Sequence, residues 1–424
     1  MTCSAQRSAI RLLALAAAWF MVFATAPAIQ AQTLTMLHSF TNHADGANPT
    51  AGMIMDRAGN LYGTTSAANT AAISSAFELK SMNSGWLLKP LADFDYNGRG
   101  AYGYALTTKP VIGPDGALYA AAQEGGNDNC FPGPVDCGTV IRLQPQARAC
   151  GSVLCFWNPT VLYYFNGNLD GSLPAQIVFG ADGSIYGTTL EGGTGCSGGN
   201  GCGTVYKLTN TGGEYWTKTA IYEFHGNDGS YPFGGVIFDA AGNLYGVTNG
   251  GGANDEGVVY ELTPVVNGFW TQTILHTFQR SDGEFPVGPL TMDASGNLYG
   301  VATGGGANMG GTVFELAQPG TWNFQTLYNL SINFFDAGPN GGLLLDSAGS
   351  IYGTTVGGGS NGLGVVYKLT FTNGTWNFTD LHDFIAFEGQ QPNGGLIFDA
   401  SGNIYGTTIF GGNINRGTAW ELTP

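Results

Sequence analysis

Short blocks of strand-like sequence recur in a fixed order along most of the chain. In residues 286–330 the blocks read "PVGPLTMDA", "NLYGVAT", "GTVFELA" and "WNFQTLYNL". They are rich in β-branched and aromatic residues and are bounded by Gly, Asn, Asp and Pro, which is typical of strands joined by tight turns. No stretch after residue 31 has a convincing helical period. The pattern therefore predicts an all-β fold.

One phrase marks the second block of each unit. "DASGNLYG" at 293–300 returns as "DAAGNLYG" at 239–246 and "DASGNIYG" at 399–406. Its tyrosine recurs at intervals of 53 to 67 residues, at Tyr62, Tyr119, Tyr186, Tyr245, Tyr299, Tyr352 and Tyr405. A period of this length suits a unit of four short strands, as in propeller blades. We predict that residues 33–424 form a single seven-bladed β-propeller domain of four-stranded antiparallel blades, built from seven repeats.

The phrase also predicts its own local structure. Residues 293–297 resemble a hairpin turn, in which Asp293 accepts hydrogen bonds from backbone amides and Gly296 supplies the positive φ that closes the turn. Gly300 follows the tyrosine and has no side chain. We expect this gap to accept a side chain from a neighbouring blade, because both faces of a stacked blade are covered.

The two ends of the repeat array complement each other. "TLTMLHSF" (33–40) matches the fourth block of an earlier copy, "ILHTF" (274–278), whereas "GTAWELTP" (417–424) is a third block that no fourth block follows. We therefore expect the N-terminal strand to complete the last blade and close the ring, which removes two open sheet edges. An open array of seven units is the alternative.

With these motifs the chain resembles the GloVer (Gloeo_Verruco) tandem-repeat proteins, exported bacterial proteins of the choice-of-anchor type. The resemblance rests on "GLIFDASGNIYGTT" (395–408) and "GTVYKLT" (203–209) and covers essentially all of residues 33–424. It is specific in copies four to seven and looser in copies one to three, where "GPDGALYAAA" (113–122) lacks the leading Asp and the final Gly. The resemblance implies export and a propeller-like repeat architecture, and it implies no reaction or catalytic residue.

Residues 1–31 have the pattern of a signal peptide. Arg7 and Arg11 precede an apolar run at 12–26, and small residues follow it. The run is short for a membrane span, so an uncleaved anchor is the alternative. The chain has 14 Lys+Arg and 30 Asp+Glu, a formal net charge of −16, which disfavours nucleic acid and anionic lipid head groups as partners. We expect a periplasmic or extracellular protein with no membrane span after cleavage.

Six cysteines follow the leader and fall into three close pairs. In an exported chain this spacing favours local disulfides, although six cysteines permit fifteen connectivities. Zinc binding is the alternative, but the spacing lacks the two-residue knuckle and no histidine lies nearby. The disulfide candidates are Cys130, Cys137, Cys150, Cys155, Cys196 and Cys202.

Propeller geometry sorts the loops between two faces. The loops between second and third strands share one face with the loops between blades, and both sets are variable in sequence, so we predict this face to bind a ligand. The alternative is that the Asp-Gly dipeptides between blades are ordinary turns. The candidate residues on the predicted ligand face are Asp45, Asp170, Asp228, Asp282, Glu388, His43 and His225, with the loop aromatics Tyr231, Phe285, Phe335 and Phe410.

One of these loops is also a calcium candidate. "DFDYNG" (93–98) offers Asp93, Asp95 and Asn97 at alternating positions before a glycine, like the start of a calcium-binding loop. The twelfth position is Tyr104 and not the expected acid. Calcium is therefore the one cofactor that we consider, and an ordinary turn is the alternative.

No signature of a catalytic centre stands out from the repeats. The glycine-rich loops lack the Gly-Lys-Ser/Thr ending of a phosphate-binding loop. The leading hypothesis is an exported, non-catalytic binding module for a polysaccharide or protein ligand. The alternatives are a calcium-assisted hydrolase or lyase that acts on sugars or lactones, and a structural envelope protein that self-associates; the oligomeric state is left open.

Overall fold

Each four-block unit folds into a four-stranded antiparallel sheet, and seven such sheets form a β-propeller. The structure is a computed structural model, and it describes residues 32–66, 73–83, 85–94, 102–126, 137–145, 156–196, 200–318, 320–331 and 338–424. Within these ranges the regular structure is almost entirely β, apart from short 3-10 turns at Asn168–Asp170 and Val266–Gly268. The predicted fold class is confirmed.

The strands follow the chain order within each blade, from the first strand at the centre to the fourth at the rim. Blade one contains β2 (Ile54–Met55), β3 (Leu61–Thr64), β4 (Ser74–Met82) and β5 (Gly85–Phe94). Blade two contains β6 (Val111–Ile112), β7 (Leu118–Ala122), β8 (Thr139–Gln144) and β9 (Asn158–Tyr164). Blade three contains β10 (Ser172–Phe179), β11 (Ile185–Glu191), β12 (Thr204–Gly212) and β13 (Tyr215–Glu223).

The remaining blades repeat this order. Blade four contains β14 (Val236–Phe238), β15 (Leu244–Thr248), β16 (Val258–Pro264) and β17 (Trp270–Thr277). Blade five contains β18 (Glu284–Met292), β19 (Leu298–Gly304), β20 (Met309–Ala317) and β21 (Asn323–Ser331). Blade six contains β22 (Pro339–Leu345), β23 (Ile351–Thr355), β24 (Val365–Thr372) and β25 (Thr375–Asp383). Blade seven contains β26 (Gln390–Phe398), β27 (Ile404–Phe410), β28 (Thr418–Thr423) and β1 (Thr33–Ser39).

The N-terminal strand closes the ring as predicted. β1 pairs antiparallel with β28, from Thr33 opposite Thr423 to Ser39 opposite Thr418. Phe40, at the end of β1, is fully buried and packs edge-on against Phe77 of blade one. The clasp therefore completes blade seven and also joins it to blade one.

The repeated phrase forms the predicted turn. Asp293 Oδ1 accepts hydrogen bonds from the Ser295 and Asn297 amides at 2.8 and 2.9 Å, and Gly296 has a φ of 86°. The Tyr299 hydroxyl donates to Glu315 Oε1 on the adjacent strand at 2.9 Å. The turn is thus held by its own backbone amides, and the tyrosine that follows it is held by the adjacent strand of the same blade.

The glycine after the tyrosine is filled from its own blade, so the predicted contact with a neighbouring blade was wrong. A Cβ on Gly300 would lie 2.4 Å from Phe314 Cζ, and Phe314 belongs to β20 of the same blade. The blades meet instead through aromatic pairs, such as Phe278 of blade four with Phe314 at 5.2 Å and Tyr245 of blade four with Trp322 of blade five at 5.7 Å. Gly300 lets the large ring of Phe314 lie over its own sheet, where it meets the preceding blade.

Candidate functional site

The acidic residues of the loops between blades contact the fourth strands that precede them. In each pair a ring nitrogen or phenol oxygen lies 2.7 to 3.4 Å from the loop carboxylate. The pairs are His38–Asp45, Tyr163–Asp170, Tyr222–Asp228, His276–Asp282 and His382–Glu388. The strand position that alternates between tyrosine and histidine therefore holds the loop acid, a relationship that the sequence alone did not reveal.

The same carboxylates also cap their own loops. Asp45 accepts hydrogen bonds from the Thr41 amide at 2.8 Å, the Thr41 hydroxyl at 2.7 Å and the His43 amide at 3.2 Å. Burial alone would raise the pKa of Asp45, but the hydrogen bonds from His38, Thr41 and His43 outweigh it, and the pKa lies below its usual value. Asp45 is thus an ionised cap inside its loop and a poor proton donor for chemistry.

The two loop histidines sit beside these capped turns. The His43 side chain is exposed. Its backbone amide donates to Asp45 Oδ1, as described above. His225 Nδ1 lies 3.3 Å from Asp228 Oδ2, and the His225 amide donates to Asp228 Oδ1 at 2.6 Å. Both histidines lie on the predicted ligand face, each next to the acid of its own loop.

Two of the predicted aromatics adopt a left-handed backbone. Tyr231 and Phe285 have φ values of 56° and 58° and side chains that are 44% and 42% exposed. This conformation is costly for bulky residues and persists where surrounding contacts impose it; the Tyr231 amide donates to the Cys202 carbonyl at 2.9 Å. Phe285 and Phe410 were wrongly placed in loops, because Phe285 lies in β18 and Phe410 ends β27 opposite Gln390. Phe335 lies outside the described residues.

The left-handed position recurs around the propeller. Six blades have a residue with this backbone conformation just before the innermost part of the blade. These residues are Asn48, Ala105, Leu173, Tyr231, Phe285 and Gln391. Their side chains differ from blade to blade although their backbone conformation does not.

The calcium interpretation is only partly covered by the structure. Asp93 lies in β5 opposite Ser75, while Asp95 and Asn97 lie outside the described residues. Across the ranges that the structure describes, no group of three or more His, Cys, Asp or Glu is arranged to hold a metal ion. Calcium binding at this loop stays a prediction.

One of the predicted disulfides is present in the described chain. Cys196 and Cys202 are bonded, with their Cα atoms 5.5 Å apart, in the loop between β11 and β12. Cys137 is disulfide-bonded as well. The remaining candidates, Cys130, Cys150 and Cys155, lie outside the described residues. In the described part of the chain, no helix is long and apolar enough to cross a membrane.

The first strands enclose a central cavity of about 510 Å³. Every blade contributes to its lining, and one contributor from each blade is Thr50, Thr107, Gln176, Phe233, Pro289, Asn340 and Asn393. Much of the wall is bare backbone, since a Cβ on Gly52 would lie only 2.2 Å from the Gly395 carbonyl oxygen. The volume lies within the roughly 300–1,000 Å³ of typical small-molecule sites.

Polar side chains from several blades belong to the lining of this cavity. Within the described ranges the Oγ1 atoms of Thr50 and Thr107 make no hydrogen bond, but they have almost no accessible surface and do not face the cavity. Asn393 Oδ1 accepts from the Gly394 amide at 2.7 Å, and its Nδ2 has no partner among the described residues. A polar group that lines a cavity without a protein partner, such as the Asn393 amide nitrogen, indicates a place for solvent or a ligand.

Lys109 is the one ionisable residue among the described residues that line the cavity. Its side chain is half-buried in the cavity wall, and within the described ranges no ion pair or hydrogen bond involves its Nζ. Burial lowers the pKa of Lys109 from 10.5 to about 8, because the charged form loses hydration. The cavity therefore holds an ammonium group without a counterion.

Sequence reasoning missed Lys109, although a signal was present. In each blade the repeat tyrosine pairs with a residue of the first strand. The residue two places before that partner occupies an equivalent position in the cavity wall of every blade. These residues are Gly52, Lys109, Gln176, Gly235, Pro289, Gly342 and Gly395. Two adjacent blades thus place a long polar side chain where the other blades have glycine or proline.

Comparison with known proteins agrees with this architecture. Residues 21–198 and 131–343 match the model of the Gloeobacter/Verrucomicrobia repeat. An ulvan lyase from a new polysaccharide lyase family superposes with a TM-score of 0.53 at 12% identity, over 88% of this chain and 93% of the other. The PQQ-bound aldose sugar dehydrogenase of Streptomyces coelicolor gives a TM-score of 0.43 at 12% identity, over 92% of this chain and 98% of the other.

A luciferin-regenerating enzyme is similar at the same level, with a TM-score of 0.45 at 10% identity over 93% of this chain and 95% of the other. No protein with a curated description matches the chain. At these identities the structural likeness to the ulvan lyase shows a shared fold and nothing about activity.

Proposed function

The chain belongs to the Gloeobacter/Verrucomicrobia repeat family, and we propose that it is an exported, non-catalytic binding module whose central cavity receives a carbohydrate ligand. One observation carries the proposal: polar side chains from several blades, including Lys109, Gln176 and Asn393, line a cavity of about 510 Å³. The loops between blades lead directly into the first-strand segments that line this cavity. The binding site is therefore the cavity, and the loops shape the approach to it.

The lining has the mixture that sugar recognition requires. The side-chain amides of Gln176, Asn340 and Asn393 provide donors and acceptors for sugar hydroxyls. Phe233 lines the cavity with a side chain that is 46% exposed, so its ring offers an apolar face. Sugar rings present both hydroxyls and apolar C–H faces, and this combination favours them over purely apolar ligands.

Two features support export. Arg7 and Arg11 precede the apolar run of the leader pattern, and the disulfide between Cys196 and Cys202 is of a kind that persists in oxidising compartments. We place the protein in the periplasm or outside the cell. There it would meet oligosaccharides and the ends of polysaccharide chains.

Calorimetric titration of residues 32–424 with a panel of neutral and acidic monosaccharides and oligosaccharides tests the proposal. Asn393→Leu removes an amide from the cavity and is expected to weaken binding roughly tenfold or more. Asn158→Leu changes an exposed asparagine at the start of β9 and is the matched control, which should leave binding unchanged. Efficient turnover of a bound sugar, or no binding by a folded sample, would overturn the proposal.

One observation favours a second candidate, an enzyme that acts on acidic sugars. A lysine with a pKa of about 8 is partly neutral near that pH and can accept a proton. In a lyase reaction, Lys109 would take the proton next to a uronate carboxylate while the C–O bond β to it breaks and water protonates the leaving oxygen. Ultraviolet absorbance of the unsaturated product, present in the native protein and absent from Lys109→Met, would support this candidate over simple binding.

A further inference from the structure

We propose that the ligand of the central cavity carries a carboxylate, that Lys109 binds this carboxylate, and that Gly395 keeps the facing position of the wall open for it. This inference rests on the proposed binding function and names the ligand class. The chemistry fits a uronate, a sugar whose terminal hydroxymethyl group is replaced by a carboxylate.

Lys109 reaches from blade two toward the wall of blade seven. A Cβ on Gly395 would lie 3.8 Å from Lys109 Nζ, and no other atom lies within 4 Å of that position. Gly395 is also free of the positive φ that would restrict it to glycine. The space beside the ammonium group is therefore open and can accept an atom group from a ligand.

The positive charge of Lys109 is not balanced by any described residue of the cavity lining. Among the described residues of the lining no carboxylate accompanies Lys109, while the whole chain carries 30 acidic residues against 14 basic ones. A half-buried ammonium group without a counterion has lost part of its hydration, which is unfavourable. A ligand carboxylate would supply the missing counterion at the one place in the cavity where a charge is present.

The neighbouring groups are suited to the second carboxylate oxygen and to sugar hydroxyls. The Gln176 side chain donates to the Lys109 carbonyl at 3.4 Å, so it lies beside the Lys109 backbone in the next blade. Asn393 stands two residues before Gly395 in the same lining, and its Nδ2 has no partner within the described ranges. A single lysine matches the single charge of a carboxylate, whereas phosphate groups usually draw several cations or a set of backbone amides.

Matched sugar pairs test the charge directly. Glucuronate and galacturonate differ from glucose and galactose only at the carboxylate, and inorganic phosphate is the third probe. We expect the native protein to bind one uronate roughly tenfold or more tightly than its neutral partner, and Lys109→Met to remove that preference. Equal affinity for the paired sugars, tighter binding of phosphate, or an unchanged preference in Lys109→Met would overturn the inference. Neutral sugars that still bind would leave the proposed function standing, whereas a folded protein that binds none of the sugars would overturn both.

A second pair of variants tests the geometry without any ligand. Gly395→Asp places a carboxylate beside Lys109 Nζ, and Gly395→Asn places a neutral group of the same shape there. We expect Gly395→Asp to melt at a higher temperature than Gly395→Asn at pH 7, and both variants to bind uronate more weakly than the native chain because each fills the space beside Lys109. Equal melting temperatures for the two variants would show that Lys109 does not face Gly395 and would overturn the inference.

Discussion

Ala120 on β7 lies directly opposite Ile141 on β8, at the position where other blades pair a glycine with a large aromatic ring. In blade four the equivalent residues are Gly246 and Tyr260. Both members of the pair differ together in blade two, so the small methyl group of Ala120 accompanies the smaller side chain of Ile141. The two side chains of each pair therefore fill one space together, so that a larger residue on one strand accompanies a smaller residue on the other.

This relationship predicts a non-additive pair of mutations in blade four. A Cβ on Gly246 would lie 2.5 Å from the hydroxyl oxygen of the fully buried Tyr260, so Gly246→Ala should lower the free energy of unfolding by about 1–3 kcal/mol. The double variant Gly246→Ala, Tyr260→Ile reproduces the blade-two pair. Denaturant unfolding should show that it is more stable than the sum of the single changes allows. Strict additivity would contradict the shared volume.

The clasp predicts that the last blade can be completed in trans. A chain that begins at Asn42 lacks β1, leaves the β28 edge unpaired and removes the buried Phe40 from the contact with blade one. We expect this shortened chain to melt at a lower temperature and to aggregate, because an open edge pairs with other chains. Adding a peptide of residues 32–41 should raise the melting temperature toward that of the full chain.

A peptide with Phe40→Ala is the matched control for this experiment. It keeps the backbone hydrogen bonds of β1 and loses the buried ring, so it should rescue weakly. A shortened chain that is as stable as residues 32–424 would contradict the role of the clasp.

The loop acids predict a stability effect that does not depend on calcium. Asp228 accepts hydrogen bonds from the Tyr222 hydroxyl at 2.7 Å and the His225 amide at 2.6 Å. Asp228→Ala should lower the free energy of unfolding by about 1–2 kcal/mol, as the loss of a capping carboxylate does elsewhere. His225→Ala, which removes an exposed ring, is the control and should have a small effect.

Thermal unfolding with calcium and with chelator distinguishes a cap from a metal ligand. The carboxylate of Asp228 is already occupied by protein donors, so we expect the two conditions to give the same loss in Asp228→Ala. A loss that appears only in calcium would instead make Asp228 a metal ligand.

How much the sequence could predict depends on the range of the interactions. The turn at Asp293 and Gly296 involves neighbours within a few residues, and the repeat period shows the same solution seven times, so strands, blades and closure could all be predicted. The pairing of Tyr222 with Asp228 could not, because a tyrosine in a strand and an acid in a turn each have an ordinary explanation alone. Lys109 was missed for a stronger reason: the cavity exists only where the first strands of all blades meet.

The last prediction concerns Lys109 and alkaline pH. The pKa of Lys109 is about 8 in the folded protein and 10.5 without burial, so between these values the unfolded chain holds a proton that the folded chain has released. Stability rises with pH wherever the unfolded state binds more protons. The free energy of unfolding should therefore increase from pH 8 toward pH 10, by at most about 3 kcal/mol. Above pH 10 tyrosines such as Tyr260, whose pKa is raised by burial, reverse the trend because they ionise only on unfolding.

Lys109→Met should flatten this rise and be more stable than the native chain at pH 7, since it removes an unpaired buried charge. Lys80→Met, at an exposed position on β4, is the control and should retain the native pH dependence. Denaturant unfolding at fixed pH intervals between 7 and 10 measures all three proteins. A native chain whose stability falls across this interval, or a Lys109→Met variant with an unchanged slope, would mean that the ammonium group has a counterion in the folded protein. Residues that bind ligands are often retained at a cost in stability, and the gain expected for Lys109→Met at pH 7, together with a loss of uronate binding, is the combination that a binding lysine predicts and a structural one does not.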